Sequence, residues 1–326
     1  MGARSLRLAA PVLALAVVAA VPFFVADRFL LKVFIYVGIN VLVVTGLALL
    51  FGYAGQVSLG HAAFVGIGAY TCAFLTVKAH APWPIAFLAA GAISGLGGLV
   101  LALPSLRLRG HYLAMATLGF GELMSLAFAE AVPITGGVDG FTGIPFPTIG
   151  SIAIRTPAGL YWLTWGVTAC ALLAAANLVS LRPGRAMRAL HGSELGAAAC
   201  GVDVVGVKVR AFVISAMFAG LAGALYASVV GFVSPSVFTV TASVAFLAMA
   251  VVGGSGSLAG PVVAAVLLTL LQYLDALIPG ISRQAAQLVQ SYQPDVYGLA
   301  IILVVLFAPG GIGALWRATT RGGERA

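Results

Sequence analysis

The sequence predicts an all-α polytopic membrane protein, built as a single transmembrane domain over residues 1–326. Three observations favour this fold class. The chain is 61% hydrophobic and only 8% charged, whereas about a quarter of the residues in a soluble domain are charged. Its mean hydropathy is +1.10. Its 41 glycines suit the close approach of helices in a membrane, where no hydrophobic force drives them together.

Ten apolar windows predict about ten transmembrane or re-entrant helices, since a span needs about 20 apolar residues. The first window follows two arginines, as a secretory signal does. It is longer than a signal core and is followed by Asp27-Arg28, so we expect an uncleaved span. Windows 58–77 and 236–252 contain Gly, Ser, His or Thr and are either broken or re-entrant helices or ordinary helices with small packing residues. The ten windows are 8–26, 29–51, 58–77, 83–103, 111–130, 160–181, 211–232, 236–252, 260–278 and 296–316.

The distribution of basic residues predicts the orientation of the chain. With both termini in the cytoplasm, twelve of the 17 Lys and Arg residues lie in cytoplasmic segments and five lie outside, as the positive-inside rule requires. The segment 131–158 is then an external loop, rich in turn-forming residues. It either contacts an extracytoplasmic partner or simply connects two spans. The net charge of +8 is a topology signal, and no nucleic-acid partner is expected.

Residues 182–210 form a predicted cytoplasmic loop that carries five basic residues between two apolar windows. Pro183 and Gly184 are expected to end the preceding span, and residues 185–191 to form about two helical turns. A short second helix should follow over 194–200. The expected cap residues are Ser193 at the start of this helix, Gly201 at its end and Asp203 at the start of the next helix.

This loop has two interpretations. One is that a partner protein docks on it, with charged contacts from Arg185, Arg188 and Glu194. The other is that the arginines anchor the loop to lipid phosphates. An apolar ridge for docking is expected from Met187, Leu190, Ala197 and Ala198.

The sequence contains no pattern typical of a catalytic centre. It has no Gly-x-x-x-x-Gly-Lys-Ser/Thr motif, and none of its three lysines follows a glycine-rich loop, so the chain is not expected to hydrolyse ATP by itself. No His-x-x-x-His, Cys-x-x-Cys or Gly-x-Ser-x-Gly pattern indicates a metal site or a nucleophile. The three cysteines are interpreted as packing residues. An enzyme is therefore not expected.

Four polar residues in or next to apolar windows are candidates for a translocation pathway: Gln56, Ser58, His61 and Glu122. A charged residue at the centre of a membrane helix is costly, so Glu122 is expected to face the bundle interior with a hydrogen-bond partner or in its protonated form. The alternatives are a satisfied interhelical hydrogen bond or a position near the polar interface. These residues also allow a rival function, in which His61 and Glu122 serve an ATPase-independent secondary transporter or channel.

Several segments, in order, resemble the permeases of branched-chain amino acid ATP-binding-cassette importers. The loop matches in Gly184-Arg-Ala-Met-Arg-Ala-Leu190 and Glu194-Leu-Gly-Ala-Ala-Ala-Cys-Gly201, followed by a helix from Lys208 to Gly223. Further matches are Gly55-Gln-Val-Ser-Leu-Gly-His61, Leu106-Arg-Leu-Arg-Gly110, Thr135-Gly-Gly137 and Val251-Val-Gly-Gly-Ser-Gly-Ser-Leu-Ala-Gly-Pro261. The resemblance extends from about residue 40 to 313, and the Leu-Arg-Leu-Arg-Gly segment is similar to the M-type subunit.

The resemblance implies a permease in a bacterial cytoplasmic membrane that works by alternating access. Its implied partners are a second permease subunit, two cytoplasmic ATP-binding subunits and an extracytoplasmic binding protein. ATP is bound by those partners, so no cofactor is expected here. Relatives in the family carry leucine, isoleucine and valine, and others carry urea or short amides. Arg185, Arg188, Glu194 and Gly201 match the positions that meet the ATPase, whereas His191-Gly192-Ser193 departs from the charged residues usual before the glutamate.

Overall fold

A computed structural model describes residues 21–22, 27–105, 108, 110–150, 152–273, 292–307 and 310–311. Within these ranges the chain is helical, with four two-residue strands in two antiparallel pairs. The window 8–26 lies almost entirely outside the described residues, as do the ends of windows 260–278 and 296–316 and both chain termini. The number of ten spans and the cytoplasmic position of the termini therefore remain predictions.

Twelve α-helices and four strands follow one another along the described chain. The helices are α1 (Arg28–Leu47), α2 (His61–Val77), α3 (Trp83–Ser105), α4 (His111–Glu130), α5 (Val132–Thr135), α6 (Pro157–Ser180), α7 (Arg182–Gly192), α8 (Glu194–Ala199), α9 (Val204–Val230), α10 (Val240–Gly253), α11 (Ala259–Gln272) and α12 (Gln293–Phe307). The strands are β1 (Phe141–Thr142), β2 (Thr148–Ile149), β3 (Ile152–Ala153) and β4 (Phe232–Val233).

Six of the described helical segments are long and apolar enough to cross a membrane: α1 with its extension to Tyr53, α3, α4, α6, α9 and Pro235–Gly253. Each overlaps a window that the sequence predicts. The helices α2 and α11 are apolar but shorter. The largest boundary error is at α9, which begins seven residues before the predicted window because Asp203 caps it.

The windows 58–77 and 236–252 both contain a break. After a π-helical turn at Ala48–Tyr53, residues 54–60 are not helical, and α2 starts only at His61. Before α10, a 3₁₀ turn at Pro235–Val237 is followed by two non-helical residues. Helix α10 has 14 residues, or about 21 Å at 1.5 Å per residue, and α2 has 17 residues, or about 26 Å, so each regular helix is shorter than the roughly 30 Å of a hydrocarbon core. The interpretation as broken helices is therefore favoured over that of ordinary helices.

Helix α9 lies at the centre of the bundle and packs against α1, α2 and α3. Glycines make these contacts close. A Cβ atom on Gly68 of α2 would overlap the backbone of Gly220, and one on Gly223 of α9 would overlap the carbonyl oxygen of Val65. The glycine-rich windows thus predict helix packing correctly, since small residues let backbones approach.

The two ends of α9 distinguish the two ends of the bundle. Its 27 residues extend about 40 Å. At its last residues β4 pairs with β1, so segment 131–158 is tied to the bundle and contains the short helix α5. Here the Lys78 amine donates a hydrogen bond to the Pro133 carbonyl and lies 5.4 Å from the centre of the Phe141 ring. We call this the β end, and the opposite end, which carries α7 and α8, the α7 end.

We predict that Gly223→Ala lowers the free energy of unfolding by about 1–3 kcal/mol, because the added methyl group forces α9 away from α2. The matched control is Gly166→Ala in α6, where a Cβ atom meets nothing within 4 Å and alanine gains up to about 1 kcal/mol in helix propensity. Thermal unfolding of the detergent-solubilised protein measures both. Equal melting temperatures for the two variants would contradict this account of the packing.

Candidate functional site

The helix pair α7–α8 forms a compact unit at the α7 end. Helix α6 ends at Ser180, and α7 begins two residues later at Arg182. The sequence places the end of the span at Pro183 and Gly184, but both lie within the first turn of α7. Proline is tolerated there because the first backbone amides of a helix have no partner within the helix. Helix α7 is therefore three residues longer at its start than predicted.

The cap residues of this unit are placed as predicted. The Ser193 hydroxyl accepts a hydrogen bond of 3.1 Å from the amide of Gly196, at the start of α8. Gly201 has φ +77°, and the amides of Gly201 and Val202 each donate at 3.0 Å to carbonyls of the last turn of α8. This is a Schellman arrangement, in which glycine is favoured by its positive φ. Gly201 therefore has a conformational role, and its predicted contact with an ATPase remains a prediction.

The predicted loop 182–210 includes the first turns of α9. The Asp203 carboxylate accepts a 3.0 Å hydrogen bond from the amide of Gly206 and caps α9. Lys208 and Arg210 therefore lie on a helix rather than in a loop. The loop assignment itself, as a cytoplasmic coupling segment, remains a prediction.

Glu194 and Lys208 form a buried ion pair that joins α8 to α9. The Lys208 ammonium lies 2.6 Å from a carboxylate oxygen of Glu194. The side chain of Lys208 is 4% exposed and that of Glu194 is 19% exposed. A lysine buried to this degree needs an opposite charge, because an unpaired charge is costly away from water. Glu194, predicted as a contact for an ATPase, is thus committed to a partner within its own chain.

The two predicted coupling arginines lie on the exposed side of α7. Arg188 donates a 3.1 Å hydrogen bond to the carbonyl of Val179, near the end of α6. Cationic groups are favoured at such helix ends. The side chain of Arg185 is exposed and has no hydrogen bond or ion pair among the described residues. Of the four predicted coupling residues, Arg185 therefore offers its side chain most freely to a partner.

The predicted apolar ridge for docking is largely wrong. Met187, Leu190 and Ala197 are at most 4% exposed and belong to the core, so this face of α7–α8 packs onto the bundle. Only Ala198 is exposed. The physical reason is that an amphipathic helix buries its apolar stripe against whatever core is available.

Helix α7 also touches the break between α1 and α2. Gly55, with φ +68°, approaches His191 so closely that a Cβ atom on it would lie 3.0 Å from the imidazole Nδ1. The amide of Gly256, in the turn between α10 and α11, donates at 3.1 Å to the carbonyl of Gly52. The α7 end thus brings together α7, the break at 54–60 and the α10–α11 turn.

Three of the four predicted pathway residues lie together beside this break. Ser58 and His61 are fully buried, and Gln56 is 6% exposed. The His61 ring has its Nδ1 3.3 Å from the Ser58 hydroxyl and its Nε2 2.9 Å from the hydroxyl of Ser215 on α9. Both ring nitrogens therefore have a partner. This geometry favours the interpretation as a satisfied interhelical hydrogen bond, and a role in translocation remains a prediction.

The expectation that Glu122 faces the bundle interior is wrong, and its role in translocation remains a prediction. Its side chain is exposed and does not join the His61 cluster. Helix α4 buries a single stripe of residues, and Glu122 lies on the opposite side of the helix because successive residues are about 100° apart. The buried stripe consists of Leu113, Thr117, Gly121 and Phe128.

A cavity of about 250 Å³ is the feature that the sequence interpretation missed. It lies between α1, α2, α10 and α11, toward the β end. Its polar edge includes Asn40, whose amide donates at 2.9 Å to Thr269, and the stacked rings of Tyr36 and Tyr273, 5.9 Å apart. Asn40 and Gln272 lie inside predicted apolar windows, and these two polar residues were the sequence signal that could have indicated the cavity. Among the described residues no three metal-binding side chains cluster.

Comparison with known proteins agrees with this architecture. Residues 29–308 match the family described as branched-chain amino acid transport system, permease component. The chain belongs to this family.

Individual relatives agree with the family match. The chain is 33% identical over 82% of its length to the high-affinity branched-chain amino acid transport system permease protein LivM of Salmonella typhimurium, and covers 66% of that protein, slightly under two thirds. It is 24% identical over 86% of its length to the probable LivM of Methanocaldococcus jannaschii, covering 92% of it. The Escherichia coli permease protein LivH is 31% identical over half of the chain. No solved structure matches.

We predict that Glu194→Ala alone destabilises the protein by about 3 kcal/mol, because it leaves the Lys208 ammonium buried without its counter-ion. The double variant Glu194→Ala with Lys208→Met should recover much of this loss, since both charges are gone. Thermal unfolding in detergent measures Glu194→Ala, Lys208→Met, the double variant and the parent. Additive losses in the double variant would show that the ion pair is not a coupled unit.

Proposed function

We propose that the chain is one permease subunit of an ATP-binding-cassette importer that carries branched-chain amino acids across the bacterial cytoplasmic membrane by alternating access. The observation that carries this proposal is the match of residues 29–308 to one permease family. It is supported by relatives that are named as components of branched-chain amino acid transport systems. The M-type subunit is favoured because LivM aligns over 82% of the chain and LivH over 50%.

The proposed assembly contains the partners that an importer of this class needs. A second permease subunit completes the membrane part, and two ATP-binding subunits sit on its cytoplasmic face. A binding protein delivers the substrate at the opposite face, and lipid surrounds the exposed helices. The ATP is bound by the partner subunits, so the chain itself needs no cofactor and does not act as an enzyme. No nucleic acid takes part.

In this proposal the α7 end faces the cytoplasm and the β end faces outward. The exposed arginines of α7 support this orientation, since basic residues concentrate on the cytoplasmic side. The helix pair α7–α8 is the surface on which one ATP-binding subunit docks. Its buried face and the Glu194–Lys208 ion pair fasten it to the bundle, so displacement of α7 by the ATPase would be transmitted to the core.

The contacts suggest the route of that transmission. His191 of α7 lies against Gly55, and the following residues lead to His61, which is bonded to Ser215 of α9. A movement of α7 therefore bears directly on the break between α1 and α2. Discontinuous helices of this kind form the substrate and ion sites of many transporters, so a movement of this break would act on such a site.

The rival function as a secondary transporter has little support. It requires His61 and Glu122 to cooperate, but one is buried between α2 and α9 and the other is exposed on the far side of α4. Urea or short amides remain alternative substrates for a permease of this family. The cavity near Asn40 contains no charged side chain, which agrees with specificity being set mainly by the binding protein.

Reconstitution tests the function directly. Proteoliposomes containing the chain, its second permease and two ATP-binding subunits should take up leucine only when ATP and the binding protein are both present. Competition by excess isoleucine, but not by urea, is expected. Leucine or urea flux through the chain alone, driven by a proton gradient, would overturn the proposal in favour of the secondary transporter.

We predict that Arg185→Ala lowers ATP-driven uptake by about fivefold, the effect typical of losing a well-placed arginine at a protein interface. Because the side chain of Arg185 has no hydrogen bond or ion pair within the described chain, the fold should be unaffected. The matched control is Arg28→Ala, an exposed arginine at the start of α1. Uptake and co-purification of the ATP-binding subunit measure the effect. Equal uptake by both variants would contradict the docking role of α7.

A further inference from the structure

Glu122 is placed where a membrane helix does not tolerate a carboxylate facing lipid. It lies near the middle of α4 (His111–Glu130), about 17 Å from the first residue and 12 Å from the last along the helix axis. Its side chain is exposed and has no hydrogen-bond or ion-pair partner in the part of the chain that the structure describes. An acidic group at this depth is disfavoured by roughly a hundredfold relative to an apolar one.

The face around Glu122 has the composition of a helix interface. Met115, Leu118, Gly119 and Leu126 lie on the same side of α4, opposite its buried stripe. Met115 is 68% exposed and Leu126 is 58% exposed. A Cβ atom on Gly119 would meet nothing within 4 Å, so the helix backbone is open to close approach there. Apolar side chains, an accessible glycine and one polar group are the features by which membrane helices associate. We call these five residues the Glu122 face.

Helix α6 provides the internal comparison. Helices α4 and α6 have the same buried share of 22% in their most apolar stretch, so both lie at the edge of the bundle. Helix α6 contains no acidic or basic residue along Pro157–Ser180, and its exposed side chains suit contact with lipid. The Glu122 face differs from α6 because it contains a carboxylate, and lipid tails cannot form hydrogen bonds with a carboxylate.

We propose that the Glu122 face is the surface on which the second permease subunit packs, with a hydrogen-bond donor on the facing helix meeting the Glu122 carboxylate. This inference rests on the proposed function. Only a membrane-embedded partner reaches this depth, which excludes the ATP-binding subunits and the binding protein. Of the partners proposed for the importer, the second permease chain is therefore the one that can cover the Glu122 face.

Site-specific photocrosslinking tests the surface. A photoreactive amino acid is introduced at Leu118 or Leu126 of the Glu122 face, and for comparison at Leu173 of α6, which is 66% exposed. After illumination of intact membranes, Leu118 and Leu126 should yield an adduct with a membrane helix of a second permease chain, identified by peptide mass spectrometry. Leu173 should yield lipid adducts only. Lipid adducts at all three positions, or permease adducts mainly at Leu173, would overturn the inference.

Substitutions at Glu122 test the role of the carboxylate. A contact with the second permease and a contact with lipid predict different effects on the association of the two chains. If a donor of the partner binds it, Glu122→Leu should reduce co-purification of the second permease by about three- to thirtyfold, the range of one intramembrane hydrogen bond. Glu122→Gln should retain most of the association, because an amide still accepts a hydrogen bond. If the face met lipid, leucine would leave association unchanged or raise the yield of inserted protein, and either result would refute the inference.

The control variant is Glu130→Leu, an exposed carboxylate at the end of the same helix, which should not alter the association. Leucine uptake by the unsubstituted complex distinguishes a failure of the proposed subunit contact from a failure of the proposed importer function. ATP-driven uptake without crosslinks at the Glu122 face would leave the importer function standing and place the subunit contact elsewhere. Crosslinks without ATP dependence would support the contact and contradict the importer.

Discussion

Backbone amides and carbonyls in a membrane must find partners within the protein, and this requirement shapes the bundle wherever a helix is interrupted. At the break between α1 and α2, the amide of Leu59 donates to the hydroxyl of Thr117 on α4, and the amide of Ala62 donates to the hydroxyl of Ser243 on α10. Both distances are 2.9 Å. The interrupted segment is therefore stabilised by helices that lie far away in sequence. Changing its conformation means exchanging these partners, so the break and its neighbours α4 and α10 are energetically linked.

Contacts within the protein also attach the α7–α8 unit firmly to the bundle, although this unit lies outside the long helices. Its apolar side chains face the core, and Glu194 and Lys208 bind one another where α8 meets α9. Its exposed side carries the arginines. A unit with one side bonded to the bundle and the other open to a partner is suited to transmit force, because neither contact has to be remade when the partner moves. The contact of His191 with Gly55 continues this connection to the interrupted helix.

The accuracy of the sequence interpretation depends on how local each signal is. Helix positions and the caps at Ser193 and Gly201 could be predicted, since they follow from residues within one or two turns. The pairing of His61 with Ser215 could not, because it depends on which helices become neighbours. The orientation of Glu122 was missed for a related reason. The expectation that a charge faces inward assumes that one chain forms the complete bundle, whereas in this chain the carboxylate of Glu122 is exposed.

The ion pair between Glu194 and Lys208 has a consequence for how the protein is made. During synthesis, the carboxylate leaves the ribosome before the lysine, and the two are separated by the rest of α8, a turn and the first residues of α9. The ion pair can therefore form as soon as α8 and the first turns of α9 have emerged. The attachment of α8 to the central helix does not have to wait for the spans that are synthesised later.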